Sequence, residues 1–474
     1  MLVCPLVSIK SGPVISSATH MMTATPVCDR PPMIGGLVPV PDPAPDPSKG
    51  SDQNNPDSAP ASDQDGGQRS IFSDRNFVLF LVGQCITTQG LWIQKIAMSW
   101  LAWSLTGSAF WTGVIAALNF APAFFLGPIF GVMADRVDLR RTAMLLNLGQ
   151  AAVSFLLMGL SYADMMTLPW MVALAGSMGI LGSAMTPIRL SLVPVIVPRA
   201  FMNRAVAYAA MNFNISRLVG PAVGGVVIAT WGTGAAFMIN AISYLPMVFV
   251  ISVVTIHMER APDAKSRRIW TSLVDGANYA LNHPMIRSVL ALSCFVSLVG
   301  TGMVELMPVF AEAVYDRGVT GLGMLASSAG IGAVTSTFIL SRISSDAIAY
   351  QRVTIIGAFA AAVGMTGLGF APWYELAVPL VALTGGGLTL VGVGSQTALQ
   401  LTVDNRLRGR VMSFWSATSF GGMALGGTLL GAISEAGDIQ YTARGSGVLI
   451  LCAACVGLWR LYRIGALARS GALR

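Results

Sequence analysis

The stretch Gly131-Val-Met-Ala-Asp135-Arg136-Val-Asp138-Leu-Arg140-Arg141 decides the fold. It is a short polar and basic turn between two long apolar runs, as expected where one membrane helix ends and the next begins. The glycine lets backbones approach, and an aspartate can accept from a nearby helix N-terminus. The arginines hold the loop on the cytoplasmic face of a bilayer. Composition agrees. Of 474 residues, 54% are hydrophobic and 11% charged, with a mean hydropathy of +0.66, so the chain belongs in lipid. The net charge of +7 falls in short segments between apolar runs. Topology and anionic headgroups therefore account for it, and no nucleic-acid partner is expected.

From Asn76 onward, apolar stretches recur that are long enough to cross a hydrocarbon core of about 30 Å as helices. Twelve spans are expected: 76–103, 109–134, 142–162, 168–188, 204–230, 233–256, 286–311, 319–341, 353–371, 376–400, 409–434 and 446–463. Assigning the even-numbered loops to the cytoplasm gathers Arg136, Arg140, Arg141, Arg199, Arg204, Lys265, Arg267, Arg268, Arg342, Arg352, Arg406, Arg408 and Arg410 on one side. The odd loops carry Asp164, Glu312, Asp316, Glu375, Glu435 and Asp438, with only Arg317 and Arg444 as cations. By the positive-inside rule both termini are expected in the cytoplasm, with the chain multi-pass in the inner membrane.

Residues 1–70, rich in Pro, Ser, Asp and Gly, read as a disordered cytoplasmic tail. The start lacks a basic region and meets Pro5 early, so a cleaved signal peptide is not expected, and Met21, Met22 and Met33 are alternative starts. A first six-helix bundle is expected over 71–256, a linker over 257–285, a second bundle over 286–465 and a short tail over 466–474. The linker's Trp270, Leu273, Val274, Ala277 and Leu281 suggest an amphipathic surface helix. An internal repeat supports the division. Asn203-Arg204 followed by Gly220-Pro221-Ala-Val-Gly224-Gly225 returns as Asn405-Arg406 and Gly422-Met-Ala-Leu-Gly426-Gly427, opening the fifth and eleventh spans.

Charge inside lipid costs several kcal/mol (~3) unless paired or hydrated. By these spans only Lys95, Arg217 and Glu305 lie deep. Lys95 in the first span and Glu305 in the seventh sit at comparable depth in corresponding helices, so they are expected to face a shared cavity. Either a static ion pair or a part in proton or substrate coupling fits them. Arg217 could attract an anionic substrate group or cap neighbouring carbonyls. Gln84, Gln89, Gln94, Asn212, Asn214, Gln396 and Gln400 are candidate cavity-lining amides, each also suited to holding helices together. Gly220, Gly224 and Gly225 permit close helix contact, and Pro221 can bend its helix. Six cysteines, with Cys452 and Cys455 in an apolar run, give no disulfide or zinc spacing, and His20, His257 and His283 fall outside the spans. No metal, no cofactor and no catalytic constellation is expected. No phosphate loop of the GxxxxGK[ST] kind appears, so ATP hydrolysis is not supported.

The Gly131 to Arg141 loop resembles the signature loop of the major facilitator superfamily of secondary transporters. Gly131, Asp135, Arg136, Arg140 and Arg141 fall on the expected positions, while Asp138 replaces a usual glycine. The resemblance implies that Asp135 sits near the N-terminal end of the eleventh helix and favours one closed state. Gly220-Pro221-Ala-Val-Gly224-Gly225 resembles an exporter-associated motif. The runs Trp92-Ile-Gln94-Lys95-Ile-Ala-Met-Ser99-Trp100, Leu105-Thr106-Gly107-Ser108-Ala109 and Arg408-Gly409-Arg410-Val-Met-Ser413 resemble the bacterial transmembrane secretion effectors, a subgroup whose relatives include an enterobactin exporter. Drug/proton antiporters of the superfamily often carry an arginine in the fourth span, and Trp170 to Gly182 has none. The resemblance implies an all-α membrane protein of two pseudo-symmetric six-helix bundles. It would work by alternating access as a monomeric, proton-coupled exporter of a small amphipathic molecule such as a siderophore, natural product or drug. Uptake, movement of a lipid-like amphiphile, a non-transporting sensor and a membrane enzyme are the alternatives.

Overall fold

The computed structural model describes residues 74–134, 136–197, 201–254, 278–343, 346–404 and 407–469, and all regular elements among them are helical. The first four are α1 (Arg75–Thr106), α2 (Ala109–Ala134), α3 (Leu139–Tyr162) and α4 (Leu168–Ile196). A continuous stretch, Met202–Val253, breaks at Gly232 into α5 (202–231) and α6 (233–253). Then come α7 (Pro284–Val314), α8 (Gly318–Leu340), α9 (Ala347–Phe370), α10 (Tyr374–Thr402), α11 (Arg408–Ala436) and α12 (Ile439–Arg469). Ten stretches among the described residues are long and apolar enough to cross a membrane, one of them holding both α5 and α6. Counting those two legs separately and adding α11 gives twelve. The expected tail 1–70, most of the linker, Asp135 and Asn405-Arg406 lie outside the described residues.

Lipid offers no partner to a bare peptide group, so each apolar run closes its own hydrogen bonds as a helix. Local chemistry sets the ends. Asp74 accepts from the Asn76 and Phe77 amides at 2.9 and 3.2 Å to start α1. Gly107, left-handed at φ 58, ends it with its N–H on the Trp103 carbonyl. Gly232 turns the chain back between α5 and α6 at φ 80, ψ 173, a conformation that side-chain-bearing residues avoid.

Four features depart from the expected spans. Helix α4 runs on to Ile196, so Arg189 lies inside it. Helix α9 starts at Ala347 and takes in Arg352, which was expected in a loop. Helix α12 starts at Ile439, so Arg444 is helical. Helix α7 is interrupted: an α-helical stretch to Val296, π-helical turns over Ser297–Thr301 and Phe310–Val314, and a turn at Glu305-Leu306 between them. The physical cause of the turn is Pro308, which has no N–H for the Val304 carbonyl and whose ring clashes with it.

Packing follows a repeated scheme. In the first half α1 lies on α5 and α6, α2 on α4, and α3 on α6; in the second, α7 lies on α11, and α9 and α10 pack together. Two seams join the halves, α2 with α11 and α5 with α8. The repeated glycines build both the packing within each half and the seams. A Cβ at Gly220 would strike Trp92 of α1 at 2.4 Å, and one at Gly224 would reach Ile93; at Gly422 and Gly426 it would strike Leu298 of α7. The third glycine of each set serves a seam: Gly225 meets Gly323 of α8, and Gly427 meets Gly113 of α2.

Contacts between the halves concentrate toward the odd-loop ends. There Gly431 abuts the Ala109 backbone, and Ser108 and Phe110 bond to Glu435. Near mid-depth Phe120 of α2 stacks on Phe420 of α11, ring centres 6.5 Å apart. Farther toward the even-loop end of α2, the positions a Cβ would take at Gly127 and Gly131 are open. The structure is closed on the odd-loop side and parted on the other.

Candidate functional site

Glu305 sits at the turn that Pro308 imposes on α7, only 7% exposed, and its Oε1 accepts from Lys95 Nζ of α1 at 2.9 Å. The two positions are 210 residues apart in sequence, the same offset that separates Gly113 from Gly323, so they are counterparts in the two halves. Lys95 is 32% exposed. Its ammonium lies 5.2 Å from the Trp92 ring centre and 5.1 Å from that of Phe120. The cation therefore has one carboxylate and two aromatic faces as partners, and Phe120 continues the aromatic surface across to Phe420.

Arg217 of α5 is half-buried, donates to Thr389 Oγ1 of α10 at 3.4 Å and lies within electrostatic reach of Glu305. The structure thus brings Lys95, Glu305 and Arg217 together across the halves. Arg189, omitted from the sequence reading because the fourth span was ended at 188, lies within α4 and is exposed. Only a helix-end signal could have found it. Pro187 and Pro194 stand on either side of it, and the helix carries both.

The candidate amides divide. Gln94, 2% exposed, faces away from Lys95 and accepts from Ser154 of α3 at 2.7 Å and Asn240 of α6 at 2.6 Å. Asn240 also donates to Ser154 at 3.2 Å, so three helices share one dry polar knot that the sequence reading did not assemble. Asn212 donates to the Gln84 carbonyl and to Thr88, joining α5 to α1, and Gln84 donates to Thr88 at 3.1 Å. Gln89 lines an apolar cleft of about 690 Å³ with Leu81, Ile86, Ile215 and Ile242; by helical period this cleft is on the other side of α1 from Lys95. Asn214 and Gln396 are half-buried, and Gln400 is exposed.

In the Gly131 to Arg141 loop, Asp138 caps α3 by accepting from the Arg141 amide at 2.9 Å. This gives a residue that breaks the usual pattern a local role. Arg140 donates to the Ser252 carbonyl at 3.3 Å and to the Val254 carbonyl, tying α3 to the end of α6. Arg136 closes a turn onto the Met133 carbonyl, and its side chain and that of Arg141 are exposed. Among the described residues no group of three His, Cys, Asp or Glu side chains could hold a metal ion.

The profile of the transmembrane secretion effectors matches residues 68–469. The chain belongs to that family. It is 23% identical over 389 residues to the staphyloferrin A transporter of Staphylococcus aureus, covering 80% of this chain and 93% of that one. It is 26% identical over 406 residues to the multidrug efflux pump Tap of Mycolicibacterium fortuitum, covering 82% and 96%. It is also 26% identical over 361 residues to the enterobactin exporter EntS of Escherichia coli, covering 73% and 83%. Among solved structures, a bacterial homolog of the human lysosomal transporter Spinster, in an inward-facing and unoccupied conformation, superposes with TM-score 0.64 at 14% identity, covering 82% of this chain and 97% of that chain. The POT family transporter PepTSo superposes with TM-score 0.65 at 13% identity, covering 85% and 99%. This transmembrane secretion effector has the major facilitator fold, twelve helices in two related halves, and is a multi-pass membrane transporter.

Proposed function

We propose that this protein exports a small amphipathic organic molecule across the inner membrane in exchange for protons, by alternating access of a monomer with both termini in the cytoplasm. One observation carries the reading: the 2.9 Å pair of Lys95 and Glu305, bridging symmetry-related helices of the two halves at mid-depth. Glu305 is the proton carrier. Protonation frees Lys95, and with Arg217 it then offers positive charge among Trp92, Phe120 and Phe420 to a cargo with an anionic group and an apolar or aromatic body.

Three lines support this. Basic residues gather at the even-loop ends, so the parted side faces the cytoplasm under the positive-inside rule, ready to load cargo for export. The seam glycines give each half a smooth surface on which to rock. Relatives named as an efflux pump and a siderophore exporter cover most of the chain. The test uses purified protein in liposomes with an imposed pH gradient and enterobactin, staphyloferrin A and ethidium as trial cargoes. Gradient-driven flux of at least one is expected for the wild type, with a fall of about a hundredfold in Glu305→Gln. Unchanged gradient-driven flux in the variant removes Glu305 from the role.

A further inference from the structure

Glu435 is on the odd-loop side, far along the chain from Glu305, at the end of α11. Its Oε2 accepts from the Ser108 hydroxyl at 2.5 Å and from the Phe110 amide at 3.0 Å. Both donors belong to the start of α2, in the other half. Ser108 is itself the N-terminal cap of that helix: its Oγ accepts from the Trp111 amide at 3.2 Å, and its carbonyl accepts from Thr112. The carboxylate therefore completes the capping of α2 from across the molecule, where the free amides and the helix dipole favour a negative charge. The register is fixed by the backbone, because Gly431 of α11, one turn earlier, abuts the Ala109 carbonyl and the Phe110 Cα, and Gly427 abuts Gly113.

We propose that Glu435 is a second proton-binding site, exposed on the odd-loop face, whose carboxylate holds that face closed and whose protonation releases it. The argument is electrostatic and geometric. When α2 and α11 separate, two donors and a helix N-terminus lose a charged acceptor at once, so the ionised form favours the closed seam. A neutral carboxyl keeps only ordinary hydrogen bonding, roughly a tenfold weaker hold. Glu435 is exposed, so protons reach it from the odd-loop solution without entering the central cavity. The chain from Trp103 to Gly113 carries no charged residue, and Asp438, three residues after Glu435, accepts from the Gln440 amide at 2.6 Å. The inference stands apart from the role of Glu305, since the two carboxylates belong to different contacts between the halves.

The test is a spin-label distance measurement on the full chain in lipid nanodiscs, with the six native cysteines replaced and labels at Met165→Cys and Trp373→Cys, exposed odd-loop positions of the two halves. Between pH 8 and pH 3.5 the wild type should shift toward a longer distance. Glu435→Gln should start about tenfold richer in the long-distance form at pH 8 and lose most of the pH response. Ser108→Ala should show the same enrichment with a smaller response. Asp438→Asn should keep the shift. A Glu435→Gln protein with wild-type distances and pH response overturns the proposal, as does loss of the response in Asp438→Asn. Glu435→Asp, which keeps the charge on a shorter arm, provides a second variant: it should retain a pH response, and a response lost in Glu435→Asp as fully as in Glu435→Gln would also overturn it.

Discussion

At the scale of single residues, the intramembrane pair is where stability and function compete. Glu305 is buried and Lys95 about one-third exposed, so removing one partner strands a charge whose cost lies below that of a fully dry pair. Lys95→Met is expected to lower unfolding free energy by about 2 kcal/mol, and adding Glu305→Gln should restore most of it. Denaturant unfolding of the two singles and the double in lipid-like detergent checks this; additive losses would mean the two residues do not share an interaction. Lys95 and Glu305 were legible in the sequence because charge is rare in apolar runs, so each instance stands out. Arg189 was not, because two prolines flank it and prolines ordinarily end helices, whereas lipid makes continuing the helix preferable to exposing peptide groups. The knot of Gln94, Ser154 and Asn240 was hidden for another reason: its members are far apart in sequence, and only the packing of α1, α3 and α6 unites them.

At the scale of helices, the glycine sets show how much of a contact a motif can encode. Their spacing was visible in the sequence, but their division of labour, two glycines for the first helix of their own half and one for a seam, needs the three-dimensional arrangement. A Cβ at Gly113 would lie 2.1 Å from the Gly427 carbonyl, while one at Gly127 meets open space. Gly113→Ala should therefore destabilise the odd-closed form by about 1–3 kcal/mol, and Gly127→Ala should stay within roughly 0.5 kcal/mol of the wild type. Thermal unfolding together with labelling of a cysteine at Met165 reports both effects. Equal behaviour of the two variants would contradict the seam assignment. The break in α7 has a similar lesson. Its apolar run gave the span, but the turn at Glu305 depends on Pro308 three residues on, which the hydropathy pattern cannot weigh.

At the scale of the whole molecule, the two halves meet along two seams at the odd-loop ends, share an ion pair at mid-depth and separate toward the even-loop ends. Under the proposed topology, in which the basic even-numbered loops are cytoplasmic, the parted side is the cytoplasmic one. The central claim is that the two faces open in alternation. Paired spin-label distances test it directly: Met165→Cys with Trp373→Cys on the odd face, and Arg204→Cys with Arg342→Cys on the even face, measured in the same lipid and across the same pH range. The account predicts reciprocity, with the even-face distance shortening in the conditions that lengthen the odd-face distance. Both distances lengthening together, or neither changing while cargo still crosses the membrane, would contradict it.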